Sequence, residues 1–580
     1  MRRLPALLLV LACATVPGAA QQKPALDTLK TTPEATDYKS TSTFDDVVRF
    51  MKTVDDASPI IHMTTYGTTS EGRQLPMAVV GTGLKDASAA SVRASGKLRI
   101  HIQGNIHAGE VEGKEATLAL LREFAQGKHA EWLDSMVLLI APIFNADGNE
   151  RFALNNRPRQ NGPINGMGTR ANAQNININR DFMKLESPEG RAFTKLFQDY
   201  DPHVSMDLHT SDGSTHGYHL TYSPPLNPNA NAGIMNILKD EWFPFVTQQI
   251  RAKHKWETFY YGNASGGARG GGRGAGAPGG GQGRGAGAGA AGAAAGAPPT
   301  PPTPPPAPPA QAAPQAPAGP RAWGTFEHVP RFHNNYVGMR NRFALLSEAY
   351  AYATFEDRIN ATRFFIEEAM NFADANAAKI KKAVEDADKE ALVGKTLATR
   401  AQIKSGGMIE ILMGEVEDEP NPNNGAMMNR RKDVIIKEMM TDRLWFEPTM
   451  TSVAPTEYYI PASATKVIDL LKLHGVQMTQ TTQPVSGLEA FTISANTAAP
   501  VRTNSIDTGG HALRSLQGTW AAASAPAAAG TWVVKMNQPL ARLAFYLLEP
   551  TSDDGVTAWN FLDDVLATEG VTTYPILRKR

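Results

Sequence analysis

The chain has 580 residues, with 57 basic and 57 acidic side chains, so it carries no formal net charge at neutral pH. That balance argues against a nucleic-acid-binding surface or one that adheres to anionic membranes. The length exceeds what one hydrophobic core usually supports, so two domains are expected and three are allowed.

Met1-Arg2-Arg3 is a short basic start, residues 4–16 are apolar, and Gly18-Ala19-Ala20 supplies small residues for cleavage. This pattern predicts a secretory signal peptide over residues 1–20, cut after Ala20, and a secreted or periplasmic product. The apolar run is too short to span a bilayer, and no later stretch predicts a transmembrane segment. The single cysteine, Cys13, lies in this leader, where lipid attachment is a competing reading. The mature chain would then hold no disulfide, leaving its core and a metal to stabilise it.

Thr43 followed by Asp46 reads as a capping box opening an amphipathic helix through about Met51. Residues 67–75 form a polar, hairpin-like turn, followed by a strand over 77–80. Four apolar runs follow, at 98–102, 137–143, 204–208 and 343–346, interleaved with helical patterns at 112–124 and 188–197. The alternation predicts an α/β fold with a mixed, mostly parallel sheet flanked by helices. Residues 266–320 are nearly all Gly, Ala and Pro, which reads as a disordered insertion in the first domain. An interdomain linker is the alternative. Residues 373–397 are helical and charged. Beyond 401 the texture changes to short strands and turns, with a helix near 464–473, a run at 540–548 and a helix over 559–566. The expected organisation is a catalytic domain over 21–397 and a separate accessory domain of mixed strands and helices over 401–580.

The chemistry gathers at the ends of the apolar runs. His107-Ala108-Gly109-Glu110 follows the first. A His and a Glu three apart can reach one metal where the backbone turns, and a second His completes a His₂Glu zinc set with an open position. The H-x-x-E pattern alone is common by chance. Asn145-Ala146-Asp147-Gly148 follows the second run and reads as a turn in the site floor. His209 follows the third and Glu348 the fourth. Open α/β sheets bind ligands at the carboxyl ends of their strands, which gives this shared placement its weight. Rival readings stand beside each residue. Glu110 also suits the first turn of a helix, His203 sits at the wrong strand end, His216 and His219 lie in a loop, and His101 reads as a strand residue. Arg157 and Arg159 compete with Arg170, and Asp181 competes for Arg180.

With Ser70-Glu71-Gly72-Arg73, and with Gly168-Thr169-Arg170-Ala171-Asn172-Ala173 running into Ile178-Asn179-Arg180, this order resembles the zinc carboxypeptidase family of metallopeptidases. The resemblance covers about 43–371, less the insertion. It implies His107, Glu110 and His209 as ligands of one zinc per chain, and Glu348 as the general base. It further implies Arg170 at the oxyanion, Asn179 and Arg180 at the substrate's terminal carboxylate, and Tyr336 as a tyrosine closing over substrate. The substrate would be a peptide or protein C-terminus, with no nucleic-acid partner and the oligomeric state open. Many digestive members carry an Arg where this chain has Gly109, so one substrate contact is missing or supplied from elsewhere. An amidase acting on a cell-wall peptide or acyl-amino acid, and an inactive binding module, remain as alternatives.

Overall fold

The computed structural model describes residues 26–211, 213–265, 321–503 and 505–580. The expected leader with Cys13 and the Gly/Ala/Pro stretch at 266–320 lie outside the described residues. Helix α1 (Phe44–Ala57) opens on the capping box, with Asp46 N–H donating to Thr43 Oγ1 at 3.2 Å and Thr43 N–H to the Asp46 carboxylate at 3.0 Å. Losing such a cap costs about 1 kcal/mol. Val47, Phe50, Met51 and Val54 form its buried stripe at helical spacing.

Strands β1 (Ile61–Thr68) and β2 (Gln74–Val80) pair as the expected hairpin. Then follow β3 (Leu98–Gly104), α2 (Glu112–Ala125), β4 (Met136–Ala141), α3 (Pro188–Tyr200), β5 (Val204–Ser211) and β6 (Leu220–Ser223). After these come β7 (Thr258–Tyr260), β8 (Asn263–Ser265), β9 (Ala322–Gly324), α4 (His333–Met339), β10 (Phe343–Tyr350) and α5 (Phe355–Ala375). One eight-stranded sheet runs β1-β2-β4-β3-β5-β10-β6-β7, and its centre, β4-β3-β5-β10, is wholly parallel. The expected mixed, mostly parallel sheet is therefore present. Its central strands are almost wholly buried because helices cover both faces. Alternate residues serve opposite cores. Ile100, Leu138 and Ile140 pack with Val47, Leu118 and Phe365 from α1, α2 and α5. Val137, Leu139 and Ala344 pack with Phe193 and Phe197 of α3 and Tyr336 of α4.

That second core continues into the C-terminal part. Strands β11 (Thr396–Lys404) and β14 (Trp445–Val453) pair with each other, and the long hairpin β12 (Met408–Pro420) and β13 (Met427–Arg443) joins β9 and β8 in a four-stranded sheet. A six-stranded sheet follows, flanked by α6 (Thr465–His474) and α7 (Ala541–Leu548), whose Leu471 and Phe545 belong to the same core as Phe193. The structure differs from expectation over 373–397, where helix ends at Asp388 and strand begins at Thr396, with Gly394 turning the chain at φ 81°. Over 559–566 only Asp563–Leu566 is helical, because Asn560 takes a left-handed φ of 65°. No helix among the described residues is long and apolar enough to cross a membrane.

Candidate metal centre and active site

The site is built at the carboxyl edge of the parallel strands. After β3, Asn105 turns left-handed (φ 65°), and Glu110 N–H donates to His107 O at 2.9 Å, bringing both side chains to one side. Gly109 is required by close approach, since a Cβ there would meet Arg157 Cγ at 2.7 Å and Gly168 O at 2.9 Å. His209 lies on β5 and Glu348 on β10, as direct partners in the parallel register. Both strands run three or four residues past their apolar stretches. His209 and Glu348 therefore belong to the strands themselves, not to the loops beyond them.

His107 Nδ1 lies 3.0 Å from Glu110 Oε1, and His209 Nδ1 lies 2.8 Å from Glu110 Oε2. The three donor atoms fall within 4.8 Å of one another, and each residue is 3 % exposed. The donor set, two imidazoles and a carboxylate, suits zinc. Each imidazole is also fixed from behind, His107 Nε2 by Asn177 Oδ1 at 3.0 Å and His209 Nε2 by Asp207 Oδ2 at 2.7 Å. Outer partners of this kind orient ligating histidines. Burial, reinforced by the charge of Arg170, pushes the His107 pKa down to about 3, so its ring is neutral. Burial opposes the charge on Glu110, but Arg157 and the His209 ring hold its carboxyl well below the usual range. His209, set between the carboxylates of Asp207 and Glu110, is pushed up despite its burial.

These groups open on a cleft that Glu348 also lines. Three guanidiniums reach it. Arg170 lies 3.4 Å and Arg157 3.0 Å from Glu110 Oε1, and Arg157 also donates to Thr210 O at 3.0 Å. Arg180 lies over the Phe332 ring at 3.6 Å and donates to Asn179 O at 2.7 Å. Burial pulls its pKa down to about 10, which leaves it protonated. Asp181, the expected rival for Arg180, instead accepts from Ser187 N–H at 2.8 Å and its hydroxyl at 2.6 Å. Tyr261, Phe326 and Phe332 make an aromatic wall.

Of the residues singled out in the sequence, His107, Glu110, His209, Glu348, Arg170, Asn179 and Arg180 converge on this cleft. Tyr336 does not line it. That residue is fully buried on α4, its hydroxyl 2.8 Å from His474 Nδ1 and its ring stacked on Phe182. Arg159 turns away to Asp418 at 2.6 Å, whereas its rival Arg157 is at the site beside Arg170. His203 accepts from Arg99 N–H at the far strand end. His216 packs on Tyr350, His219 stacks on Trp256, and His101 bonds Ser205. Asp147 accepts from Thr69 and Arg73 in the Asn145 turn. The sequence reading missed Asp207, Asn177 and the aromatic wall. Period-two alternation places Asp207 on the face of His209 and would have found it. Tyr261 and Phe326 stand on opposite sides of the 266–320 stretch, which hides their proximity.

A buried His–Glu–His triad beside a carboxylate and convergent guanidiniums defines a candidate hydrolytic metal centre. Residues 47–213 match the family model described as zinc carboxypeptidase, so the resemblance read from the motifs is borne out over this segment. The match includes His107, Glu110, Arg170, Asn179, Arg180 and His209 and stops short of Glu348. Probable carboxypeptidase 2 of Trichophyton verrucosum is 28% identical over 205 residues, covering 33% of this chain and 36% of that protein. Carboxypeptidase 2 of Trichophyton rubrum is 31% identical over 145 residues, covering 24% of this chain and 23% of that protein. The chain thus spans about a third or less of the length of these curated relatives. Among solved structures, a metallo-carboxypeptidase from Burkholderia cenocepacia is 14% identical, with a TM-score of 0.37 over 58% of this chain and 70% of that one.

Proposed function

We propose that this chain is a zinc metallocarboxypeptidase, secreted or periplasmic, that releases C-terminal residues from peptides. The observation that carries this reading is the register pairing of Glu348 with His209, beside His107 and Glu110, at the floor of one cleft. His107, Glu110 and His209 would hold a single zinc ion. A zinc ion held there would supply a water whose pKa is lowered towards ~7 and a Lewis acid for a carbonyl oxygen.

The chain's own groups supply the rest. Glu348 takes a proton from the attacking water and later delivers it to the leaving amine, a role that needs only hydrogen-bond reach. Arg170 donates to the developing oxyanion, an interaction commonly worth about 3 kcal/mol. Arg180, with its plane set by Phe332, presents a fork to both oxygens of the substrate's terminal carboxylate, and Asn179 adds an amide donor. Tyr261 and Phe326 give an apolar surface to the departing residue. Tyr336 has no part in this reading, because its hydroxyl is engaged by His474 in the core.

The test is zinc content and cleavage of a mixed peptide library read by mass spectrometry, wild type beside Glu348→Gln. Zinc near one per chain, with C-terminal shortening in the wild type alone, is the expected result. Bound zinc without peptide cleavage would move the reading to an amidase on a cell-wall peptide or acyl-amino acid. Absence of zinc would favour a binding module.

A further inference from the structure

The C-terminal part of the chain reaches the metal centre through one carboxylate. Asn177 Nδ2 donates to Asp507 Oδ1, 330 positions away, at 2.6 Å, and Asn177 N–H donates to the neighbouring Ile506 O at 3.0 Å. The 505–511 segment is fastened again at its far end, where His511 Nε2 meets Glu186 Oε1 at 2.7 Å.

We propose that Asp507 is a positioning residue for His107, acting through the side-chain amide of Asn177. This rests on the reading of His107, Glu110 and His209 as the zinc ligands. A carboxylate only accepts hydrogen bonds, so the amide must turn its NH₂ towards Asp507. Its oxygen then faces the other way, where His107 Nε2 stands 3.0 Å off and Asn179 N–H donates at 3.1 Å. An acceptor opposite Nε2 holds the ring proton there and leaves the lone pair on Nδ1, the nitrogen aimed at Glu110. Without Asp507 only the Asn179 N–H distinguishes the two amide orientations, and the flipped one sets a donor against Nε2. His209 needs no such relay, because Asp207 accepts from its Nε2 directly at 2.7 Å. One ligand is oriented from its own strand and the other from the C-terminal part.

The experiment measures zinc affinity by chelator competition on the full chain, with the melting temperature of the zinc-free protein as a fold control. Asp507→Ala should bind zinc about 10- to 100-fold more weakly, the range for losing an outer partner. Asn177→Asp/Asp507→Ala should recover to within about threefold of wild type, since a carboxylate at 177 accepts from Nε2 in any orientation. Asn177→Asp alone sets two carboxylates together and should fall short of the double variant. Wild-type affinity in Asp507→Ala, or a folded double variant as weak as the single one, overturns the proposal. So does unfolding of both, which would make the contact purely structural. A wild type that binds no zinc removes the metal reading itself, an outcome visible before any variant is compared.

Discussion

Glu348 and His209 are direct partners across the parallel pair β5–β10, so their side chains leave the same face of the sheet one strand apart. Strand spacing of about 4.8 Å sets a carboxylate next to the triad without contributing to it. Replacing Glu348 by Gln preserves shape and removes the proton acceptor. The expected outcome is a fall in kcat of about 10²–10⁴-fold with zinc content unchanged. Steady-state kinetics with metal analysis on the same preparation checks it, and retained turnover would rule out the base assignment.

Arg180 sits on Phe332 at 3.6 Å in a buried setting, where a planar cation pairs strongly with a carboxylate. Arg180→Ala should raise KM for peptides with a free C-terminus by about 30-fold or more, equivalent to about 2 kcal/mol, and change kcat less. Matched C-terminally amidated peptides lack the pairing charge. An equal loss on both series would show that Arg180 does something else.

Much of this was legible in the sequence, for identifiable reasons. The central strands are buried on both faces and so read as apolar runs, and the Thr43–Asp46 cap is local to one turn of chain. His107 and Glu110 are three residues apart, and His209 and Glu348 end recognisable strands. What was not legible depends on distance along the chain. Asn177 meets Asp507 across 330 positions, and no periodicity records such a contact. Tyr336 illustrates the converse. An aromatic residue near a site looks functional in a sequence, while here its ring fills the core under α3 and its hydroxyl reaches His474.

Glu189 on α3 gives a pH test independent of catalysis. Burial, with added repulsion from Asp147 and Asp181, raises its pKa from 4.5 to about 7. The folded protein therefore favours the protonated acid. Its contribution to stability is complete below pH 4.5 and is lost as pH rises through about 7. Glu189→Gln keeps a neutral side chain at every pH. Between pH 5 and 8 the wild type should lose on the order of 2 kcal/mol more stability than this variant, measured by urea unfolding. Parallel pH profiles for the two proteins would refute the argument.

Gly109 is where the ligand loop and Arg157 compete for the same space. A Cβ there would lie 2.7 Å from Arg157 Cγ and 2.9 Å from Gly168 O, and the second neighbour is backbone that cannot swing aside. Arg157 is itself held by Glu110 at 3.0 Å, Thr210 O at 3.0 Å and Gln160 Oε1 at 3.1 Å. Gly109→Ala must therefore move the His107–Glu110 turn, the arginine, or both. It should cost about 1–3 kcal/mol in stability, as overpacking does, and weaken zinc binding because a ligand stands on either side of the change. Adding Arg157→Ala relieves the side-chain clash but not the one with Gly168 O, and it removes a partner of Glu110. The double variant should then recover stability in part and zinc affinity not at all, read by thermal melts and chelator competition. Full recovery of both would mean that Arg157 merely fills space above Gly109 and does not help to hold the carboxylate in place.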